Sequence, residues 1–115
     1  MKQKISVKSS SSESIYSVVF EIDNDTLRVH CDCQAGIYGK LCKHKINILE
    51  GDTSNIIDLK EYNEISDILS KVNNSDFATK NNSVKEIDNE IKKMNSKKKK
   101  LKKELEQMLS SGFNI

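Results

Sequence analysis

Apolar and polar positions alternate through the first third of the chain. Lys4-Ile5-Ser6-Val7-Lys8, Ser14 to Ile22 and Thr26 to Cys31 each place β-branched, aliphatic or aromatic residues at alternate positions. Because successive side chains of a strand point to opposite faces, this period predicts three strands with one apolar face, the first of them at an edge. Ser9 to Ser12 reads as the loop after the first strand, a solvated hairpin connection in preference to a phosphorylation site. Asp23-Asn24-Asp25 reads as a turn, since Asn and Asp bond their own backbone and tolerate left-handed dihedrals. A three-stranded antiparallel sheet follows.

Beyond Gly51 the period changes. Leu59, Tyr62, Ile65, Leu69 and Val72 are spaced by three and four, with Ile68 beside them, which predicts an amphipathic helix of about four turns. Asp52, Thr53 and Ser54 are candidate caps, and Asn73-Asn74-Ser75 ends the helix. Residues 76–82 are polar apart from Phe77 and Ala78 and read as a linker.

Val84, Ile87, Ile91, Met94, Lys98, Leu101, Leu105 and Met108 then follow a strict three-four alternation. Val84, Ile91, Lys98 and Leu105 take heptad position a; Ile87, Met94, Leu101 and Met108 take d. Only Lys98 interrupts the apolar seam. Ser83 with Glu86 forms a capping box and Gly112 a stop, so the pattern predicts a helix of about 28 residues and about 42 Å.

The densest chemistry lies at the end of the third strand, in CDCQAGIYGKLCKH. Cys31 and Cys33 are two apart in an extended segment, so they share a face, while His30 and Asp32 point the other way. The eight residues before Cys42 hold two of the four glycines, which suits a loop that folds back. Cys42 and His44 open a helix through Ile46 and Leu49 that Gly51 can end. Three thiols cannot pair off completely, and no apolar leader follows Met1-Lys2-Gln3-Lys4-Ile5. The expected compartment is therefore a reducing cytoplasm. Cys31, Cys33, Cys42 and His44 form the ligand set of one closed, tetrahedral, structural zinc ion.

The pattern CxC, eight residues, CxH resembles the SWIM-type zinc finger. The flanks agree: an aromatic-containing β segment, Tyr16 to Ile22, comes before and an apolar helix, Lys43 to Leu49, comes after. The resemblance covers about residues 5–49. It implies a binding module for DNA or protein, since SWIM fingers occur in chromatin-remodelling proteins, transposases, ubiquitin ligases and recombination accessory factors.

The expected fold is α+β: a small antiparallel sheet with a zinc knuckle and short helix in a ββα-like arrangement, followed by an amphipathic helix and a long heptad helix. In residue terms this gives a finger at 1–51, an acidic helix at 52–75, a linker at 76–82, a basic heptad helix at 83–111 and a tail at 112–115. With 36% hydrophobic residues, 31% charged residues and no tryptophan in 115 residues, the core is thin. Small domains of this kind depend on a staple, and a structural zinc ion supplies on the order of 10 kcal/mol of folding free energy.

Charge is unevenly distributed although the chain as a whole carries only +2. Residues 1–49 carry a net +2, residues 50–82 a net −4 and residues 83–115 a net +4. The apolar seam of the last helix calls for a partner. In a parallel homodimer Lys97 faces Lys102 and Lys98 meets its own copy, both repulsive. Folding back on the acidic helix, or pairing with a separate acidic protein, are the other two options.

Arg28, Lys40, Lys43 and Lys45 near the knuckle, with Lys97, Lys99, Lys100 and Lys103 on the last helix, are the candidate nucleic-acid contacts. Such contacts would be blind to sequence and sensitive to salt. Solvated helix faces and charge compensation around the thiolates are the simpler explanation of these lysines.

No catalytic constellation emerges. His44 is committed to metal, His30 points away from the thiols, and Asp58, Glu61 and Glu64 form the wet face of a helix. Four protein ligands leave no place for a zinc-bound water. The expected protein is a non-enzymatic adaptor that takes a protein partner or self-associates through its heptad helix, with DNA binding as the alternative. Neither a membrane nor a small-molecule substrate is expected.

Overall fold

The structure, a computed structural model, describes residues 1–9 and 11–115; Ser10, inside the serine loop, lies outside the described residues. The chain divides into two compact units, Met1–Ser75 and Asp76–Ile115.

The first unit contains the predicted sheet. Strands β1 (Lys2–Lys8), β2 (Ile15–Asp23) and β3 (Thr26–Cys31) are antiparallel in the order β1-β2-β3. Register pairs Ile5 with Val18, Val18 with Cys31 and Phe20 with Val29, so one face gathers the apolar residues of all three strands. Ile5, Val7, Val18, Phe20 and Cys31 are buried on it. Asn24 adopts φ 54° in the β2–β3 turn, the left-handed conformation that an Asx residue tolerates. The Ser9 amide donates to the Ser14 carbonyl at 2.9 Å and closes the β1–β2 loop.

Helices α1 (Gln34–Ile37) and α2 (Lys43–Leu49) follow β3. α2 lends Ile48 to the core and ends at Gly51, which adopts φ 86°. Among the described residues the core consists of Ile5, Val7, Val18, Phe20, Cys31, Cys33, Ile48, Ile65 and Leu69.

The middle segment departs from the predicted continuous helix. It is broken into α3 (Leu59–Asn63), α4 (Ser66–Ser70) and a 3₁₀ turn at Lys71–Asn74. The break falls at Ile65, whose φ of −124° and ψ of 10° are not helical and which is fully buried. A straight helix over this span would present one continuous stripe. The bend instead sends Ile65 and Leu69 into the core and leaves Leu59 52% exposed. Packing on a small sheet overrides the local period. The cap of α3 is Asp58, which accepts from the Lys60 amide at 3.0 Å. Asp52 instead forms a local turn with Ser54 through bonds of 3.0 and 2.7 Å.

The segment before α3 covers the outer edge of β1. Lys8 donates to the Asn55 carbonyl at 2.8 Å, Ile57 donates to the Ser6 carbonyl at 3.0 Å, and the Ser6 amide donates to Glu61 Oε1 at 3.1 Å. An edge strand offers unpaired backbone groups to other chains, and here those of Ser6 and Lys8 have partners within the chain. The sequence pattern identifies the edge but not its cover.

The second unit is essentially one helix, α5 (Asp76–Ser111), of 36 residues. It starts well before the predicted Ser83 cap and absorbs the predicted linker. Residues 76–82 contain neither glycine nor proline, and Ser75, with ψ 164°, is the residue that interrupts the chain. Ser83 lies inside the helix, its hydroxyl donating to the Thr79 carbonyl at 3.2 Å. Gly112, at φ 90°, terminates it as predicted and donates to Met108 O at 2.8 Å. No residue of α5 is buried, and seven apolar seam residues, Val84 through Met108, are 47–63% exposed. Among the described residues no helix is long and apolar enough to cross a membrane.

Replacement of Ile65 by Ala is expected to destabilise the first unit by about 2–5 kcal/mol, because it opens a cavity in a fully packed site. Leu59→Ala is expected to change stability by no more than about 0.5 kcal/mol. Denaturant unfolding of the two variants checks the bend, because an unbroken helix burying one stripe would make the two costs similar.

Candidate metal centre

Three short elements converge on the four predicted ligands. Cys31 is the last residue of β3, Cys33 is the N-cap of α1, Cys42 is the N-cap of α2, and His44 is the second residue of α2. Both cap residues are extended, with ψ of 166° and 154°, so each thiol turns back over the first turn of its helix. Cys33 Sγ accepts from the Gly36 amide at 3.3 Å and Cys42 Sγ from the Lys45 amide at 3.5 Å. At Cys33 the N–H donor aimed at sulfur favours the thiolate, the form that binds metal.

The four ligand atoms lie within 4.8 Å of one another. Tetrahedral zinc with bonds of about 2.3 Å to sulfur and about 2.0 Å to nitrogen requires sulfur–nitrogen separations of about 3.5 Å. Cys31 Sγ lies 3.6 Å from His44 Nδ1, which makes Nδ1 the histidine donor. The donor set and its spacing fit one metal ion and are compatible with a single zinc. The His44 ring also packs against Tyr16, with ring centroids 5.0 Å apart and planes inclined by 41°.

The thiols are electrostatically unequal. Burial pushes the Cys31 thiol up to about 12, with the nearby Cys42 and Cys33 thiols adding to the effect. Burial also opposes ionisation at Cys33. There, however, hydrogen bonds from the Gly36 amide, the Cys31 and Cys42 thiols and the Ala35 amide together hold the pKa below the usual thiol value. A metal bound at Cys31 would have to displace this proton.

Two supporting residues escaped the sequence reading. Asp32, between the two ligands of the CxC pair, accepts from the Ser17 amide at 2.8 Å, and its own amide donates to Ser17 O at 3.2 Å. These bonds tie the end of β3 to β2 where the ligands leave the sheet. Gly36 is needed for space, since a β-carbon there would overlap the Cys31 carbonyl oxygen and lie 2.9 Å from the Cys31 Cβ. Its place in a loop gave no hint of this close approach to the strand.

The predicted basic contacts do not all meet. Lys40 and Lys43 border an open cleft of about 860 Å³ beside the ligand cluster, together with Tyr16, Tyr38 and Asn47. Lys45 donates to the Lys40 carbonyl at 2.9 Å and braces the loop. Arg28 and His30 fall on the sheet face opposite the buried one. Lys97, Lys99, Lys100 and Lys103 are exposed on α5 within one arc of about 160°, and Lys98 and Lys102 fill the remaining faces. Between Cys33 and Cys42, Ile37, Tyr38 and Leu41 are 70–73% exposed, an apolar knuckle tip.

Comparison with family models, curated proteins and solved structures returned no match for this chain.

Gly36→Ala is expected to cost about 1–3 kcal/mol and to weaken metal binding, because the loop must shift away from Cys31. Zinc binding is expected to release protons, and its apparent affinity to fall as pH is lowered, because protonated thiols compete with metal. Calorimetry in two buffers of different ionisation enthalpy measures both effects, and proton-neutral binding would contradict the thiolate ligand set.

Proposed function

We propose that the chain is a non-enzymatic, zinc-stabilised interaction module of the SWIM type, working in a reducing cytoplasm, with α5 as its assembly element. The four-ligand cluster carries this reading. Four protein donors saturate a tetrahedral ion and leave no position for an activated water, so the metal acts as scaffold. The spacing CxC, eight residues, CxH supports the SWIM assignment. Recognition then falls to surfaces that the metal organises, and the exposed Ile37, Tyr38 and Leu41 at the knuckle tip suit a protein partner. The apolar stripe of α5 supports assembly.

The nucleic-acid reading has one observation in its favour: Lys40, Lys43, Tyr16 and Tyr38 line one cleft, a basic and aromatic combination that suits backbone phosphate and stacked bases. The protein reading is preferred because covering an apolar seam is favourable in itself, whereas exposed lysines need no partner.

The test uses the zinc-loaded full chain and an I91K/L101K variant that disrupts the seam of α5. The variant is expected to bind one zinc with unchanged affinity and to lose association with protein partners, measured by pull-down and light scattering. Retention on DNA that weakens steeply with salt and survives in the variant would favour the nucleic-acid reading. Chelation is expected to abolish the folded signature of residues 1–75 in circular dichroism, and an unchanged spectrum would remove the scaffold role of the metal.

A further inference from the structure

The start of α5 at Asp76 extends the heptad backward, placing Phe77 at a and Lys80 at d ahead of Val84. The helix is also divided by charge. From Asp76 to Ile91 it holds four carboxylates and two lysines; from Lys92 to Ser111 it holds eight lysines and two glutamates. An acidic first half and a basic second half complement each other when two such helices run in opposite directions.

We propose that α5 pairs antiparallel with α5 of a second copy, with Ile91 of each chain opposite the partner's Met94. The proposal rests on the reading of α5 as the assembly element and names its partner. In antiparallel pairs a positions face d positions. This register sets Phe77 against the partner's Met108 and Val84 against the partner's Leu101. Lys98 then meets the partner's Ile87, and Lys80 meets the partner's Leu105. Each lysine packs its stem on an apolar neighbour and extends its ammonium to water, and no two lysines meet across the seam. At the flank, Glu90 faces the partner's Lys97, and symmetry makes the pair twice.

Other arrangements of the same helix are poorer. A parallel pair stacks Lys80 and Lys98 on their own copies and sets Lys97 against the partner's Lys102. An antiparallel pair shifted by one heptad, with Val84 against the partner's Met108, sets Glu90 against the partner's Glu104 and Lys97 against its own copy. It also strands Phe77. The proposed register overlaps residues 76–109, about 51 Å of helix and nearly its whole length.

The experiment is light scattering and sedimentation of the zinc-loaded full chain over a range of concentrations, with K97E and the double variant E90K/K97E. The expected mass is twice the 13.1 kDa of the chain. In the antiparallel pair K97E replaces an ion pair by two facing carboxylates, the new one and the partner's Glu90, and is expected to weaken dimerisation about tenfold. The double variant is expected to restore it. In a parallel pair K97E would relieve the repulsion from Lys102 and tighten the dimer, so tightening overturns the proposal. A monomer at every concentration overturns it too. If that monomer still captures another protein in a manner abolished by I91K/L101K, the adaptor reading stands and only the pairing falls; if it captures none, both fall. Zinc stoichiometry and affinity, expected to be unchanged in all variants, separate loss of pairing from loss of folding of the first unit.

Discussion

The thiol and imidazole groups that close between the end of β3 and the start of α2 hold together segments that a thin core would hold poorly. Cys31 is at once a candidate ligand, the register partner of Val18 and a buried member of the core. Cys33 shares two of these roles, as candidate ligand and as core residue. Metal site and hydrophobic core are therefore one structure, and disturbing either disturbs both. A zinc ion held by these four donors would contribute on the order of 10 kcal/mol, comparable to the whole net stability of a typical domain. Without it, a three-stranded sheet with a few short helices has little to offset its conformational entropy.

Around this centre the first unit meets two further demands of a small sheet. One is the edge of β1, where backbone groups of Ser6 and Lys8 are taken up by Asn55, Ile57 and Glu61. The other is the open side of the apolar face, closed by Ile48, Ile65 and Leu69 from separate short segments. No single long helix would deliver side chains from these directions. Short, bent elements do so: α1 and α2 are capped by the candidate ligand thiols and α3 by Asp58, while α4 has no side-chain cap and starts at the buried Ile65.

The second unit follows a different logic. α5 has no buried residue, so its stability comes from helix propensity, from its terminal stop at Gly112 and from whatever covers its seam. Its lysines look like a nucleic-acid signature when counted, yet they encircle the helix. Their arrangement along the axis, opposite in sign to the first half, carries more information than their number. The four-donor cluster lies beside the cleft and the loop that carries Ile37, Tyr38 and Leu41, so a metal ion bound there would hold both in place.

Much of this was legible in the sequence because it depends on local rules. Alternation in the strands, the Asx turn at Asn24, the glycine stops and the four-ligand spacing each follow from residues close in sequence, and each reappears in the structure. The bend at Ile65, the cover on β1 and the role of Gly36 were not legible, since each depends on what another segment presses against that residue. The start of α5 is an intermediate case. A polar composition suggested a linker, but no residue after Ser75 breaks a helix. Sequence alone thus determined the periods and the metal donors, because backbone geometry and coordination chemistry act over a few residues. Tertiary structure decided where those periods are interrupted and which glycine must have no side chain, because packing on a three-stranded sheet joins residues far apart in the chain.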